Sequence, residues 1–319
     1  MGLQLTTLLH RAVRGREVVA AGPPRADGPP VGVADLRDVT AARVRALVAD
    51  ADRVRFDALV AGSDDAVVLR RALAATASVD AVAELAGALA RSTPGDRRAV
   101  RDPVPSMARQ GRQSDGTTCG SSVLAMLAAH GDPTLALWLA TGTVLASARP
   151  PELSGAPDAA LDRLAEAPRE ARFAAVQRVL RRRTSARAVL GLAWPPRYGT
   201  PPWTAARTAR FLGVTYDHRP LDDTDAAHLA GALAEVGTAL DAGVPVPLYS
   251  GGDTARGWDT ALPRHVVLAF ARDDAGWHVW EPGAGAVVVA DRRALTSGRP
   301  HAALGHWDHL AWVLAPRLR

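Results

Sequence analysis

The sequence predicts an α+β fold in which helices come first and antiparallel strands come last. Apolar residues recur at helical spacing at 41–54 and 65–90, with Arg and Asp on the opposite face. Short apolar runs punctuated by Gly and Asp begin near residue 244 and continue almost to the carboxyl terminus. With 319 residues, 48% of them hydrophobic, the chain can bury a core as one large domain or two smaller ones. This order of elements is typical of α+β proteins.

The first hundred residues are predicted to form a small helical region. A Gly/Pro-rich break at 22–30 interrupts it. Pro94 and Pro103, each in a polar stretch, then predict a linker or an extended entry into the next unit. We therefore divide the chain into residues 1–100, whose role the sequence does not reveal, and residues 101–319.

Helical patterns continue into the second unit. Residues 119–130 form an apolar helical pattern that Gly131 and Pro133 end, so Cys119 lies at or near a helix amino terminus. Four prolines in 194–203 fix φ and remove backbone donors, so we expect a rigid loop there. Further helices are expected at 135–146, 158–183, 204–212 and 225–242, with a short strand at 214–216. Strands are expected at 244–249, 265–271, 277–280, 287–290 and 309–314.

The composition narrows the classes of protein. Ala, Arg, Val, Gly, Asp and Pro dominate, as expected of a GC-rich bacterial genome. No run approaches the roughly 18 apolar residues of a membrane span, and no secretory signal is visible. We therefore expect a cytoplasmic protein without a membrane partner. The single cysteine excludes an internal disulfide framework and cannot build a structural zinc site alone.

Charge does not favour a nucleic-acid partner. All 38 cationic residues are arginines, and 33 acidic residues offset them along most of the chain. The densest cationic spot, Arg181-Arg182-Arg183, has no interleaved aromatic residues and is typical of a solvated helix end. A polar cluster near the carboxyl terminus matches no standard zinc spacing and is expected to be a loop: His301, His306, Asp308 and His309. We expect no metal and no cofactor, and the oligomeric state is not indicated.

Cys119 is a candidate nucleophile. A thiol attacks a carbonyl as its thiolate, which a helix amino terminus and a neighbouring imidazole stabilise. Gly120 suits a backbone N–H that points at the reacting oxygen. Gln113 precedes Cys119 by six positions, in a polar loop that would fold its side-chain amide beside the thiol as an oxyanion donor. A lone cysteine at a helix start is otherwise most often a small buried hydrophobe.

His265 is the candidate base among nine histidines, because it opens a strongly apolar strand pattern. A polar residue at the edge of such a strand is either satisfied by a partner or faces a cleft. Glu281 follows sixteen positions later, at the end of the next predicted strand. If the two strands pair as a hairpin, the Glu281 carboxylate lies where it can accept from the imidazole and fix its tautomer.

The run from Gln113 to Gly131 resembles the active-site segment of the double-glycine leader peptidases that process bacteriocins, and of their stand-alone relatives. It contains a Gln six positions before the Cys, a Cys-Gly pair, an apolar helix with a Met, and a closing Gly. Gly243-Val244-Pro245-Val246 is similar to the family's strand before the His, and His265-Val266-Val267 to its His strand. Glu281-Pro282 stands where the family carries an acidic residue followed by Pro.

This resemblance implies a papain-like cysteine peptidase fold, with the helix that bears Cys119 packed on an antiparallel sheet that bears His265. It also implies that Gln113 stabilises an oxyanion and that Glu281 orients the imidazole. The similarity covers about 105–125 and 240–290.

The sequence departs from the family pattern in three ways. Glu281 replaces the usual Asp. A helical, Pro/Trp-rich insertion at about 133–203 makes the separation between Cys119 and His265 longer than in the compact leader peptidases. No transporter domain follows in the sequence, so the export-coupled role of those enzymes is not expected.

The predicted function is hydrolysis of a peptide or other amide bond, in a peptide or protein substrate, through a thioester on Cys119. Two alternatives stay open. The first is a catalytically inactive binding or assembly module that keeps the fold. The second is acyl transfer of the transglutaminase kind at the same residues. Trp194 and Trp203 are weak candidates for walls of a substrate cleft, with core packing as the other interpretation.

Overall fold

The computed structural model describes residues 35–253 and 263–317, so the break expected at 22–30 lies outside the described residues. The described part of the chain is rich in helices. In chain order these are α1 Leu36–Leu47, α2 Asp50–Ala61, α3 Ala66–Thr76, α4 Val79–Arg91, α5 Pro94–Arg101, α6 Pro103–Ser106, α7 Cys119–Gly131, α8 Pro133–Thr141, α9 Asp158–Ala165, α10 Arg169–Ser185, α11 Pro202–Thr208, α12 Ala226–Asp241 and α13 Arg292–Leu295. Short 3-10 turns occur at Pro151–Leu153, Pro196–Tyr198 and Ala302–Leu304.

Six strands form one sheet in which every neighbouring pair is antiparallel. They are β1 Tyr216–Pro220, β2 Val246–Gly251, β3 His265–Asp273, β4 Gly276–Glu281, β5 Ala286–Ala290 and β6 His309–Pro316. The strand order is β1-β6-β2-β3-β4-β5. Helices concentrated before an antiparallel sheet give the α+β class that the sequence predicts, and that class is confirmed.

The central strands are apolar on both faces because helices cover both sides of the sheet. All of β2 is buried, and so are the first six residues of β3. Both α7 and α12 pack against β3. A strand enclosed in this way shows a continuous apolar run rather than an alternating one.

Helix α7 is the central helix of the molecule. All of its residues are buried, against β3 on one side and against α8 and α10 on others. A helix that is apolar all round is expected at such a position. Its last residue, Gly131, lies so close to Phe211 that an added Cβ would be 2.9 Å from that ring. The end of α7 therefore needs glycine for packing as well as for helix termination.

The linker expected around residues 94–105 is not present. Pro94 and Pro103 instead begin helices α5 and α6, where a missing N–H costs nothing and the fixed φ suits the first turn. Thr93 and Asp96 cap α5 with reciprocal hydrogen bonds. Helix α5 packs on α8, and one hydrophobic core runs from the first helices through the sheet. The division at residue 100 therefore does not coincide with a break in packing.

Several expected elements differ in extent. The helix expected at 135–146 ends at Thr141, and the helix expected at 204–212 ends at Thr208. The helix expected at 158–183 is two helices, because Pro168 precedes the first turn of α10. The strand expected at 214–216 starts only at Tyr216, because a tight turn through the left-handed residues Leu212 and Gly213 pairs Val214 with Phe211.

Among the described residues, no single helix has the length and apolar content needed to cross a membrane. The consecutive helices α7 and α8 reach that length and composition only as a pair, and they are bent by 114° relative to each other.

Candidate active site

Cys119 is the first residue of α7, where the preceding loop holds it firmly. The Thr118 hydroxyl accepts from the backbone N–H groups of Ser114 at 3.0 Å and Asp115 at 3.1 Å. The Thr118 carbonyl accepts from the hydroxyls of Ser121 and Ser122, each at 2.9 Å. The thiol thus lies at a helix amino terminus, where free N–H groups and the helix dipole stabilise a negative charge.

His265 and Glu281 lie on the adjacent strands β3 and β4 and are joined by a short hydrogen bond. His265 Nε2 donates to Glu281 Oε1 at 2.6 Å. The backbone N–H groups of Gly283 and Ala284 also donate to the carboxylate, each at 2.6 Å. The turn after β4 therefore fixes the carboxylate, and the carboxylate fixes the imidazole ring.

The Cys119 side chain lies close enough to His265 to act on the pKa of the imidazole. Burial alone would lower the pKa of His265, but the hydrogen bonds with Cys119 and Glu281 raise it to about 9. The structure thus brings three residues from distant parts of the chain into one connected row: Cys119, His265 and Glu281.

The Glu281 carboxyl is held in its ionised form. Burial acts to raise its pKa, but the hydrogen bonds from His265 and from the backbone of Ala284 and Gly283 outweigh it, and its pKa lies below the usual value. The longer side chain of Glu, compared with Asp, reaches the imidazole without loss of contact. The row therefore runs from a carboxylate through an imidazolium to the sulfur.

All three side chains are almost enclosed. Cys119 is 3% exposed, Glu281 5% and His265 8%. Low exposure strengthens the electrostatic interactions within the row. It also means that a large reagent has little access to the sulfur in this conformation.

Gln113 ties the loop before Cys119 to the turn after Glu281. Its backbone N–H donates to the Pro282 carbonyl at 2.9 Å. Its side-chain Nε2 donates to the Asp115 carbonyl at 3.0 Å, which leaves one N–H of the amide for a developing oxyanion. The Gln113 Oε1 is buried and has no hydrogen-bond partner within 35–253 and 263–317.

Gly120 is packed against the Pro/Trp-rich loop. A Cβ at this position would lie 2.5 Å from the Thr200 Cβ, so only glycine lets the loop approach the start of α7 this closely. Trp194 and Trp203 belong to the same segment and stack edge to face at 5.3 Å. Trp203 Nε1 donates to the Ala188 carbonyl at 2.8 Å. Both indoles are half-buried and pack within the loop.

Gly305 supports the imidazole from a distant part of the chain, and no pattern in the sequence points to it. It follows the 3-10 turn Ala302–Leu304 and has a left-handed φ of 65°. A Cβ there would lie within 3.0 Å of three His265 ring atoms, Cδ2, Nε2 and Cγ. The buried Ser250 hydroxyl donates to the Leu304 carbonyl at 2.8 Å and holds this turn in place.

Tyr249 is a second residue that sequence reasoning missed. It lies in the buried strand β2, and its hydroxyl has no hydrogen-bond partner in the described part of the chain. Burial, with a further contribution from the charge on Cys119, raises its pKa well above the usual value. The phenol is therefore a neutral donor near the sulfur. A polar residue within an otherwise apolar strand was the available signal.

The polar cluster near the carboxyl terminus does not form a metal site. His309 Nδ1 pairs with Asp223 at 2.9 Å, whereas His301 Nδ1 accepts from the Ala303 N–H at 3.1 Å. No group of three or more His, Cys, Asp or Glu side chains is placed to hold a metal among the residues that the structure describes.

Comparisons of this chain with protein families, with curated proteins and with solved structures give no match. The geometry of the site is therefore the basis for the proposed function.

Proposed function

We propose that the chain is a cysteine peptidase or amidohydrolase of the papain-like kind. The observation that carries this proposal is the connected row from the Glu281 carboxylate through His265 to the Cys119 thiol at a helix amino terminus. A nucleophile, a base in contact with it and a third group that orients the base are what nucleophilic acyl transfer requires. The central helix packed on an antiparallel sheet supports the papain-like assignment.

In the proposed reaction, the Cys119 thiolate attacks the carbonyl carbon of a peptide or other amide bond while His265 carries the proton. His265 then gives that proton to the leaving nitrogen as the C–N bond breaks, which leaves a thioester on Cys119. Water attacks the thioester with His265 as base, and the acid product leaves as the thiol is restored. Glu281 keeps the ring oriented and stabilises the imidazolium.

The tetrahedral oxyanion has three candidate donors. The backbone N–H of Cys119 or Gly120 lies at the helix amino terminus, and the remaining N–H of the Gln113 amide lies in the preceding loop. The Tyr249 hydroxyl is the third. One preorganised donor of this kind typically lowers a barrier by about 3 to 4 kcal/mol.

The first test uses a peptide aldehyde, which captures an active thiol as a hemithioacetal. Intact-mass spectrometry and inhibition of alkylation by iodoacetamide report the adduct. We expect wild-type protein to form it, and the Cys119→Ala variant to fold normally and form none. A wild-type thiol that is alkylated at the same rate with and without the aldehyde would count against the proposal.

The near-complete burial of the thiol favours a second candidate, a peptide-binding module without turnover. The two functions differ in chemistry. A binding module retains peptide without a thioester, whereas an active enzyme releases a product with a new carboxylate. Mass spectrometry of the products with and without an added amine distinguishes hydrolysis from transfer to that amine.

A further inference from the structure

The segment that packs on the candidate site has an unusual charge. Residues 171–216 contain nine arginines and no Asp or Glu, in a chain that has 33 acidic residues. Three of the nine are occupied: Arg172 donates to buried carbonyls, Arg181 pairs with Asp115, and Arg210 pairs with Asp132 and Glu152. The other six are exposed and have no carboxylate partner in the described part of the chain: Arg178, Arg182, Arg183, Arg187, Arg197 and Arg207.

Several of these arginines border a continuous row of rings. Trp194 lies 5.8 Å from the Tyr198 ring and 5.3 Å from the Trp203 ring, and Trp203 lies 6.5 Å from the His218 ring. Arg197 stacks on Tyr198 with its guanidinium carbon 4.8 Å from the ring centre.

The arginines stand at both ends of this row. Beyond Arg197 at the Tyr198 end, the charge of Arg207 acts on His218 at the other. Arg187 directly precedes Ala188, whose carbonyl receives the Trp203 N–H. We call these three arginines and the four rings the arginine–aromatic surface.

An exposed apolar turn adjoins the surface. Val189, Leu190 and Leu192 are among the few large hydrophobic residues that the described part of the chain exposes. Leu190 is 99% exposed and adopts a left-handed φ of 48°. Apolar side chains held in water beside unpaired arginines are typical of a binding surface rather than of a solvated loop.

The segment that bears this surface contacts both the loop before Cys119 and the first turn of α7. Thr200 packs on Gly120, and a Cβ on Gly199 would lie 3.8 Å from the Thr117 carbonyl. Arg181 of α10 binds Asp115 at 3.2 Å. A peptide bound on the arginine–aromatic surface would therefore lie close to the start of α7, where Cys119 is located.

We propose that the arginine–aromatic surface, together with the Val189–Leu192 turn, is an exosite for a segment of a protein or peptide substrate that contains acidic residues and leucine. The assignment rests on the proposed function, because the bound segment would present its scissile bond to Cys119. Guanidinium groups bind carboxylates in a bidentate manner, and several of them together select an acidic partner.

Other occupants fit less well. Residues 1–34 of this chain contain four arginines and two acidic residues, so that segment has the wrong charge for an internal partner. Nucleic-acid binding would use open aromatic faces for base stacking. Here Trp194 packs edge to face on Trp203 and tilted against Tyr198, and the Arg197 guanidinium covers the Tyr198 ring.

The test measures peptide binding separately from chemistry. Fluorescence anisotropy on the Cys119→Ala protein compares a labelled peptide of Glu, Ser and Leu with the same peptide in which Gln replaces Glu. We expect the acidic peptide to bind about 10-fold more tightly at low salt, with the difference shrinking as salt rises.

A matched pair of charge reversals locates the contact. The triple variant Arg187→Glu, Arg197→Glu and Arg207→Glu should lose about 10-fold in affinity for the acidic peptide. The control triple Arg43→Glu, Arg91→Glu and Arg98→Glu has the same change in net charge, on exposed arginines of α1, α4 and α5, and should retain it.

Three outcomes overturn the exosite. Equal affinity for the acidic and amide peptides is one, and equal losses in the two triple variants is another. Tighter binding of a single-stranded oligonucleotide through the same arginines is the third.

Cys119 alkylation in the first triple variant, built on wild-type protein, should match wild type. If alkylation is normal in a His265→Ala variant while the peptide result holds, the proposed chemistry fails and the binding surface stands.

Discussion

On the strand side of the candidate site, His265 and Glu281 are buried, and His265 Nε2 and both oxygens of the Glu281 carboxylate have hydrogen-bond partners. On the loop side, the segment from Arg187 to Trp203 is largely exposed and bears unpaired arginines. Buried polar groups are costly unless satisfied, so the strand side tolerates little change. An exposed surface tolerates substitution and can be tuned to a partner. We therefore assign the proposed chemistry to the strand side and the proposed recognition to the loop side.

The largest effect is expected for Glu281→Gln. The carboxylate accepts from three N–H groups, those of His265, Gly283 and Ala284. A glutamine must place its own NH₂ against at least one of these donors, which costs about 1 to 3 kcal/mol. In the wild type, the raised pKa of His265 contributes stability that is fully present below about pH 6.5 and lost as pH rises through about 9.

Urea unfolding of wild type and Glu281→Gln between pH 6 and about pH 9 measures both the loss of stability and its dependence on pH. The variant should be less stable at pH 6, and the loss of stability toward pH 9 should become shallower. Thiol alkylation should also slow by about 10-fold or more, because the imidazole loses its orienting group. A variant with wild-type stability and an unchanged pH dependence would show that the carboxylate does not hold the ring.

Gly305→Ala should be next in size. The new Cβ would meet the His265 ring, and a left-handed φ in a residue other than glycine costs about 1 to 2 kcal/mol. We expect lost stability together with slower alkylation of Cys119.

Gly298→Ala is the matched control. Gly298 has a φ of 63°, close to that of Gly305, and open space around its Cβ position. The Gly298→Ala variant should lose only the stability that the left-handed φ costs, and its rate of Cys119 alkylation should match that of wild type. Equal effects of the two substitutions would exclude a special role for Gly305.

Gly120→Ala tests the junction between the two sides. Its Cβ would lie 2.5 Å from Thr200, so the loop must shift away from α7. Overpacking of this kind costs about 1 to 3 kcal/mol. Gly116→Ala, where no heavy atom lies within 4 Å of the added Cβ, is the control. Adding Thr200→Ala should restore part of the loss, and no recovery would argue against this contact.

The smallest effect is expected for Leu190→Asn on the loop side. Leu190 buries no area, and asparagine accepts a left-handed φ more readily than leucine does. Thermal unfolding should show stability unchanged or raised by up to about 1 kcal/mol. A clear loss of stability would mean that the turn is part of the folded core after all.

Local signals in the sequence predicted the elements that carry the chemistry. The apolar run after Cys119 predicts a buried helix. The two apolar runs that begin at His265 and end at Glu281 predict neighbouring strands, which the structure shows. Local signals also misled at Pro94 and Pro103, since a proline that ends one element can begin a helix.

Contacts between distant segments escaped the sequence. Gly305 reaches His265 from forty positions away, and nothing near Gly305 indicates that it supports a ring. The acid-free segment 171–216 was readable as a pattern, but its arginines gain meaning only when Thr200 places that segment on the start of α7.

The most direct measurement is the pH dependence of iodoacetamide alkylation of Cys119 in wild type and in His265→Ala. Because the pKa of His265 is raised to about 9, an imidazolium should stand beside the sulfur from mildly acidic pH up to that value. Wild type should therefore be alkylated much faster than the variant at pH 6, and the difference between the two rates should shrink as pH rises past about 9. Identical profiles for the two proteins would show that the imidazole does not activate the sulfur.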